Sequence, residues 1–226
     1  MTALILALCL SQPPKPEFLL RRVAKAGQTF VMREAQVQAY KGQSARYDGK
    51  IEETVLKVDG RGGYILKTTR QGSSDALGNI PAETTLRYFS AKNELIRYES
   101  EISEAEQVTD RRKLALTGFR PPDKSVGIGS TWTFEVKIAM SGFEVRTKQT
   151  FTALALESVE GRRAMKVKLE ASESGGGDCS SNVFLWVDVE DGSILQFDGT
   201  INKAPLVTNS VDAKIQIAAR RMKDNP

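Results

Sequence analysis

From Thr131 to Ile138 the chain alternates without a break. Trp132, Phe134, Val136 and Ile138 fall on one parity, and Thr131, Thr133, Glu135 and Lys137 on the other. A period of two over this length predicts a strand with one buried face, because a helix would scatter the same apolar side chains around its circumference. Met165, Val167 and Leu169 alternate in the same way with Lys166, Lys168 and Glu170, and Val211, Ala213, Ile215 and Ile217 with Asp212, Lys214 and Gln216. Earlier in the chain the pattern is looser, as at Tyr64 and Leu66 before Lys67. Between the runs lie Asp59-Gly60, Ser141-Gly142, Glu160-Gly161 and Asp191-Gly192, pairs that tolerate positive φ in tight turns. Short turns make neighbouring strands antiparallel. Ser100 to Arg112 sets Ile102, Ala105 and Val108 near helical spacing, but its counterpart later in the chain contains Pro205. A loop, or at most a short helical turn, is therefore expected there.

The landmarks recur in order at an offset of about a hundred residues. Gly27-Gln-Thr-Phe30 returns as Gly129-Ser-Thr-Trp132, Gly42 as Gly142, and Val58-Asp-Gly60 as Val159-Glu-Gly161. Leu95-Ile-Arg-Tyr98 matches Ile194-Leu-Gln-Phe197, Ile102 matches Ile201, and Lys113-Leu-Ala-Leu116 matches Lys214-Ile-Gln-Ile217. The expected fold is all-β, mainly an antiparallel meander, with two tandem structural repeats forming a curved sheet, sandwich or half-barrel. The units span residues 27–118 and 129–221, joined by a Pro-containing connector over 119–128. Residues 12–26 read as an N-terminal linker and 222–226 as a tail.

Ala3 to Leu10 is an unbroken apolar run, suited to the h-region of a signal peptide and too short to span a bilayer. Small residues precede a cut before Gln12, so residues 1–11 are expected to be a signal peptide, although no Lys or Arg precedes the run. Cys9 invites a lipoprotein reading, but Leu8 stands where a lipobox takes Gly, Ala or Ser. The expected location is periplasmic, cell-envelope or extracellular.

Composition narrows the chemistry. The 226 residues contain no histidine, which excludes every Ser–His, Cys–His and His-ligated metal site. A net charge of +4 without aromatic interleaving argues against nucleic acid as a partner. Aromatics at 7% are too few for the girdles of an outer-membrane barrel. The basic groups Arg21-Arg22, Arg111-Arg112-Lys113, Arg162-Arg163 and Arg220-Arg221 are scattered among acids and read as solvated surface. Asp188, Glu190 and Asp191 near Asn182 match no EF-hand spacing and read as turn residues; no metal or cofactor is expected. Gly175-Gly-Gly-Asp-Cys179-Ser-Ser-Asn182 could expose a nucleophile, but it has no base, and a flexible hairpin loop is the simpler reading. Carboxylates such as Glu52-Glu53 and Glu99 to Glu101 sit on strands or turns, so no catalytic residue is assigned. Trp132, Phe134, Phe184 and Trp186 are the large apolar side chains of the second unit, candidates to line a pocket if the sheet is curved and core if it is a sandwich.

These motifs resemble uncharacterised secreted β-rich families of bacteria. The carriers of the likeness are Pro121-Pro122 followed by Gly129-Ser-Thr-Trp132, and Trp186-Val-Asp188-Val-Glu-Asp-Gly192 leading into Ile194-Leu-Gln-Phe197. At a greater remove the chain is similar to the curved antiparallel sheets of periplasmic lipoprotein and lipid carriers, whose covering helices are not evident here. No ligand motif of those carriers is matched and no functional residue is carried over. Export, the missing catalytic set and the apolar stripes set the expectation of a non-enzymatic exported envelope protein, with a lipid or apolar small molecule as a candidate ligand on a curved sheet and peripheral envelope association. Two alternatives stay open: a structural or assembly protein acting through its β edges or surface, and a carboxylate-based hydrolase.

Overall fold

The computed structural model describes residues 16–140, 143–205 and 210–222. The expected signal peptide with Cys9, and the Gly142 landmark, lie outside the described residues. The described chain forms β1 (Thr29–Tyr40), β2 (Gln43–Val58), β3 (Tyr64–Ser74), β4 (Gly78–Phe89), β5 (Leu95–Ser100), α1 (Glu104–Thr117), β6 (Thr131–Met140), β7 (Phe143–Val159), β8 (Arg162–Ser174), β9 (Ser180–Asp188), β10 (Ile194–Pro205) and β11 (Ser210–Arg221). All strands belong to one antiparallel sheet in the order β5-β4-β3-β2-β1-β11-β10-β9-β8-β7-β6. The first meander runs outward from β1 to β5. The helix then carries the chain across one face to the far edge, and the second meander returns inward until β11 pairs with β1, from Met32 opposite Arg221 to Tyr40 opposite Ala213. Strands β5 and β6 do not meet, so the curved sheet is open.

The recurring landmarks occupy matching places in this order. Phe30 and Trp132 begin β1 and β6, Val58-Asp-Gly60 and Val159-Glu-Gly161 turn β2 into β3 and β7 into β8, and Leu95 and Ile194 open β5 and β10. The correspondence then breaks. Lys214 to Ile217 lies in β11, whereas Lys113 to Leu116 is helical. The loop or short turn expected after Ser100 is in fact the fourteen-residue helix α1. Pro205 does not bear on it, since that proline is the last residue of β10. Local chemistry starts the helix. The Ser103 hydroxyl accepts from the Glu106 N–H at 3.3 Å, and the Glu106 carboxylate accepts from the Ser103 N–H at 3.0 Å. This capping box, with Glu104 and Glu106 in the first turn, satisfies the exposed amides and suits the helix dipole.

Val108, Arg112, Ala115 and Leu116 share the buried side of α1, which lies on the inner face of β6 to β10. Leu116 packs there with Leu20, Phe151, Met165, Leu169 and Ile201, all fully buried. Each such large apolar side chain stabilises by about 2 kcal/mol relative to exposure. The stretch read as an N-terminal linker takes part in this core: Phe18 and Val126 exchange two backbone hydrogen bonds of 2.9 Å, and Leu20 enters behind them.

One basic residue read as solvated surface is wholly buried. Arg112 donates to both oxygens of Glu173 on β8, at 3.2 and 2.7 Å, and to the Gly176 carbonyl at 2.7 Å. Neither charged side chain has exposed surface. The glycine-rich loop therefore anchors the helix. The helix C-terminus has no basic residue, and side chains of the sheet accommodate its free carbonyls instead. Gln149 Nε2 donates to Ala115 O at 2.7 Å, and Ser181 Oγ donates to Leu116 O at 2.5 Å.

Arg112→Met should destabilise the chain by about 3–5 kcal/mol in urea unfolding, since it strands the Glu173 carboxylate in the core. Pairing it with Glu173→Leu should recover most of that loss. Cys179 lies beside the same pair with 1% of its surface exposed, and burial, reinforced by Glu173, pushes its thiol up to about 12. Iodoacetamide at pH 8 should leave Cys179 unmodified in the folded protein and alkylate it in urea, as read by peptide mass mapping.

Candidate functional site

The two halves of the inner face differ. Over β6 to β10 the inward rows are mainly apolar, and the helix seals them with Gln149, Glu173 and Ser181 bonded to it. Over β1 to β5 the rows mix apolar and polar side chains, and between them, α1, the segment after it and side chains of the second meander such as Ile138, Gln149 and Phe197 lies a cavity of about 350 Å³. That size falls at the lower end of small-molecule sites.

Strand register builds its floor. Across β3 and β4, Tyr64 faces Phe89, Leu66 faces Arg87, Thr68 faces Thr85 and Arg70 faces Glu83. Tyr64 and Phe89 stack with ring centroids 5.0 Å apart. Phe30 and Met32 of β1 and Ile51 of β2 continue the floor, while Leu114 of α1 and Phe119 form the roof. At one end Glu34 is almost fully buried and accepts two bonds from Arg70, at 2.8 and 2.9 Å, with a third from Gln36 Nε2 at 2.7 Å. Arg70 also lies over the Tyr47 ring, 4.9 Å from its centroid. Gly49 and Gly72 face each other beneath that ring, and a Cβ on either would come within 2.7 Å of it.

At the other end a relay holds the roof down. The Tyr64 hydroxyl donates to Asn93 Oδ1, and Asn93 Nδ2 donates to the Phe119 carbonyl at 2.9 Å. Asn93 holds φ at 60° in the β4–β5 turn, a conformation that asparagine tolerates well. Burial, outweighing the nearby Arg22, pushes the Tyr64 hydroxyl well above its ordinary value, so it remains a donor. Along the helix side, Tyr98 donates to Asp110 at 3.1 Å, and Lys113 lies 3.9 Å from the same carboxylate.

The four aromatics singled out from the sequence do not share a surface, and none of them lines this cavity. Trp132 and Phe134 pack on the helix-covered face, where Trp132 stacks on Phe151 at 5.5 Å and donates to the Arg120 carbonyl at 2.9 Å. Phe184 and Trp186 lie on the opposite face, with Lys166 over both rings and Trp186 Nε1 donating to Glu157 at 2.6 Å. Asp188 and Asp191 are engaged in their turn: Arg162 reaches both, and Asp188 Oδ1 accepts from the Glu190 N–H at 2.7 Å. Among the described residues no cluster of three or more His, Cys, Asp or Glu is arranged to hold a metal.

The cavity residues Glu34, Thr68, Arg70, Thr85 and Arg87 were not picked out by sequence reasoning. Their signal is the looseness of the first unit itself, where inward positions alternate with outward ones but are often polar on both sides.

No protein-family model matches this sequence, and no curated protein matches it. Solved structures do. The hypothetical lipoprotein YmcC from Escherichia coli is similar at 13% identity and TM-score 0.36, over 90% of this chain and 91% of that one. A Bacteroides fragilis protein described as exported, with a YmcC-like fold, is similar at 9% identity and TM-score 0.36, over 92% and 100%. A Vibrio parahaemolyticus protein described as an outer membrane lipoprotein-sorting protein domain is similar at 10% identity and TM-score 0.25, over 89% of this chain and 88% of that one.

Burial, with repulsion from Asp110 next, pushes the Glu83 carboxyl above its ordinary value. A raised folded value means the folded chain holds this proton more tightly than the unfolded one. The associated stability is present below the ordinary carboxylate range and is lost as pH rises through it. Glu83→Gln should therefore raise the urea midpoint at pH 7, and the gain should vanish below about pH 4.

Proposed function

We propose that this chain is a non-enzymatic exported protein of the cell envelope that holds a lipid-like ligand between its curved sheet and α1. The cavity over β1 to β5 carries the reading: it has an apolar floor in Phe30, Met32 and Leu66, an apolar roof in Leu114 and Phe119, and polar groups at fixed places. Export rests on the apolar run from Ala3 to Leu10. In this reading the tandem landmarks mark two copies of one meander, of which the second is sealed by the helix and the first is left to hold the ligand. Trp132 and Phe134 then support the wall that Val136 and Ile138 present to the cavity, and Phe184 with Trp186 serves the outer face.

A second reading is favoured by the open edges. Strands β5 and β6 each pair on one side only, which leaves two templates for an added strand and suits an assembly protein. The carboxylate hydrolase would draw on Glu83 and Asp110, which share a cavity wall; Asp110 is held by Tyr98 and Lys113, and we read the pair as structural.

Native mass spectrometry of the chain purified from the envelope fraction of its own host separates these readings. The expected result is an added mass that organic solvent removes and that Leu114→Trp, which fills the cavity, abolishes. A bare monomer mass would overturn the carrier reading, and a multiple of it would transfer support to assembly through the edges.

A further inference from the structure

The floor of the cavity carries a cost that its packing does not explain. Thr68 and Thr85 face each other across β3 and β4, and Arg87 lies next to them opposite Leu66. Both threonines are 5% exposed, yet Thr68 Oγ1, Thr85 Oγ1 and Arg87 Nε make no hydrogen bond. Burying a hydroxyl without a partner is unfavourable, and valine would fill the same space in a strand without that cost. Arg87 makes no ion pair within 4.0 Å among the described residues, although its charge is felt by Glu83 and Tyr98; its guanidinium carbon lies 5.9 Å from the Tyr98 ring centroid. Glu34, by contrast, is matched by Arg70.

We propose that the ligand is an amphiphile with an oxyanion head, and that the head sits on Thr68, Thr85 and Arg87 while its apolar tail runs along the floor under α1. The inference rests on the carrier reading and adds to it the class of ligand and the direction in which it lies. Arginine Nε can only donate, and both hydroxyls can donate, so together they call for a group rich in acceptors. Glu53 faces Thr68 from β2, and Glu83 stands next to Thr85 in the β4 row, so both repel an anion from that end and set the head toward Arg87. The tail has apolar surface at hand in the Tyr64–Phe89 stack, Leu66 and Leu95, roofed by Leu114 and Phe119. A volume of about 350 Å³ holds roughly a dozen non-hydrogen atoms at about 30 Å³ each, which suits one medium-length chain. The shared chemistry is that of a fatty carboxylate or an alkyl phosphate.

The test uses delipidated full chain and isothermal titration with dodecanoate, dodecyl phosphate and dodecanol, each below its micellar concentration. Both anions are expected to bind at least about tenfold more tightly than the alcohol. Thr68→Val with Thr85→Val, and separately Arg87→Met, should erase that preference while leaving dodecanol binding in place. The threonine exchanges remove unpartnered hydroxyls and are expected to keep the melting temperature; if the double variant does not fold, Thr85→Val alone carries the comparison. Tighter binding of dodecyl phosphate would point to a phospholipid-type head, and tighter binding of dodecanoate to a free fatty acid. If wild type binds all three probes alike, or keeps its preference in the variants, the head placement is wrong and the carrier reading survives. If wild type binds none of them, the carrier reading fails with it.

Discussion

Arg112 leaves α1, enters the core and meets Glu173 of β8 with no solvent on either side chain. Two charges held this way cost a great deal to desolvate, and they tolerate the interior because the guanidinium fork fits both carboxylate oxygens and a third acceptor, the Gly176 carbonyl. Against a well-packed apolar substitute such a pair need not add stability. What it adds is position. With Gln149 and Ser181 at the helix C-terminus, it specifies where the helix rests along the sheet, which the apolar contacts of Leu116 and Val108 with neighbouring rows do not fix by themselves. The helix connects the two edge strands, so the point at which it is pinned decides how far it covers β6 to β10 and how much of β1 to β5 stays open.

The cavity follows from that placement together with the inward rows of the first meander. In the second meander the inward row of β8 is Met165, Val167 and Leu169, which a helix can seal. In the first meander the inward row of β3 is Tyr64, Leu66, Thr68 and Arg70, and that of β4 is Glu83, Thr85, Arg87 and Phe89. Such rows cannot be closed by apolar packing without leaving polar groups unmet. The Tyr64–Asn93–Phe119 relay fixes the roof at one end, and Glu34 with Arg70 organises the other, so the space between is held open by hydrogen bonds at both ends.

The same contrast explains what could be read without a structure. Where one face is apolar and the other charged, as from Thr131 to Ile138 or Val211 to Ile217, alternation is unmistakable and those runs lie in β6 and β11. From Thr68 to Arg70 or Glu83 to Arg87 both faces carry polar groups, so periodicity has little to register, and the candidate site sits in that stretch. The helix escaped for a related reason. Its buried side includes Arg112, a residue type that reads as surface, and the landmark correspondence drew Lys113 to Leu116 toward a strand. The Ser103 to Glu106 capping box was present in the sequence and outweighs both considerations. Which aromatics share a surface depended on strand parity, and this separates Trp132 from Trp186.

The pairing of β1 with β11 also governs how the molecule can be assembled. Residues 29–40 meet residues 210–221, so the central seam joins the segments farthest apart among the described strands. Each meander can form from local hairpins, but their union must wait for a very long loop to close, and topologies dominated by such contacts fold slowly. In that interval two additional unpaired strands are exposed at what will become the middle of the sheet. The pairing that completes the sheet is therefore one that the β11 of a second copy could supply in place of the chain's own.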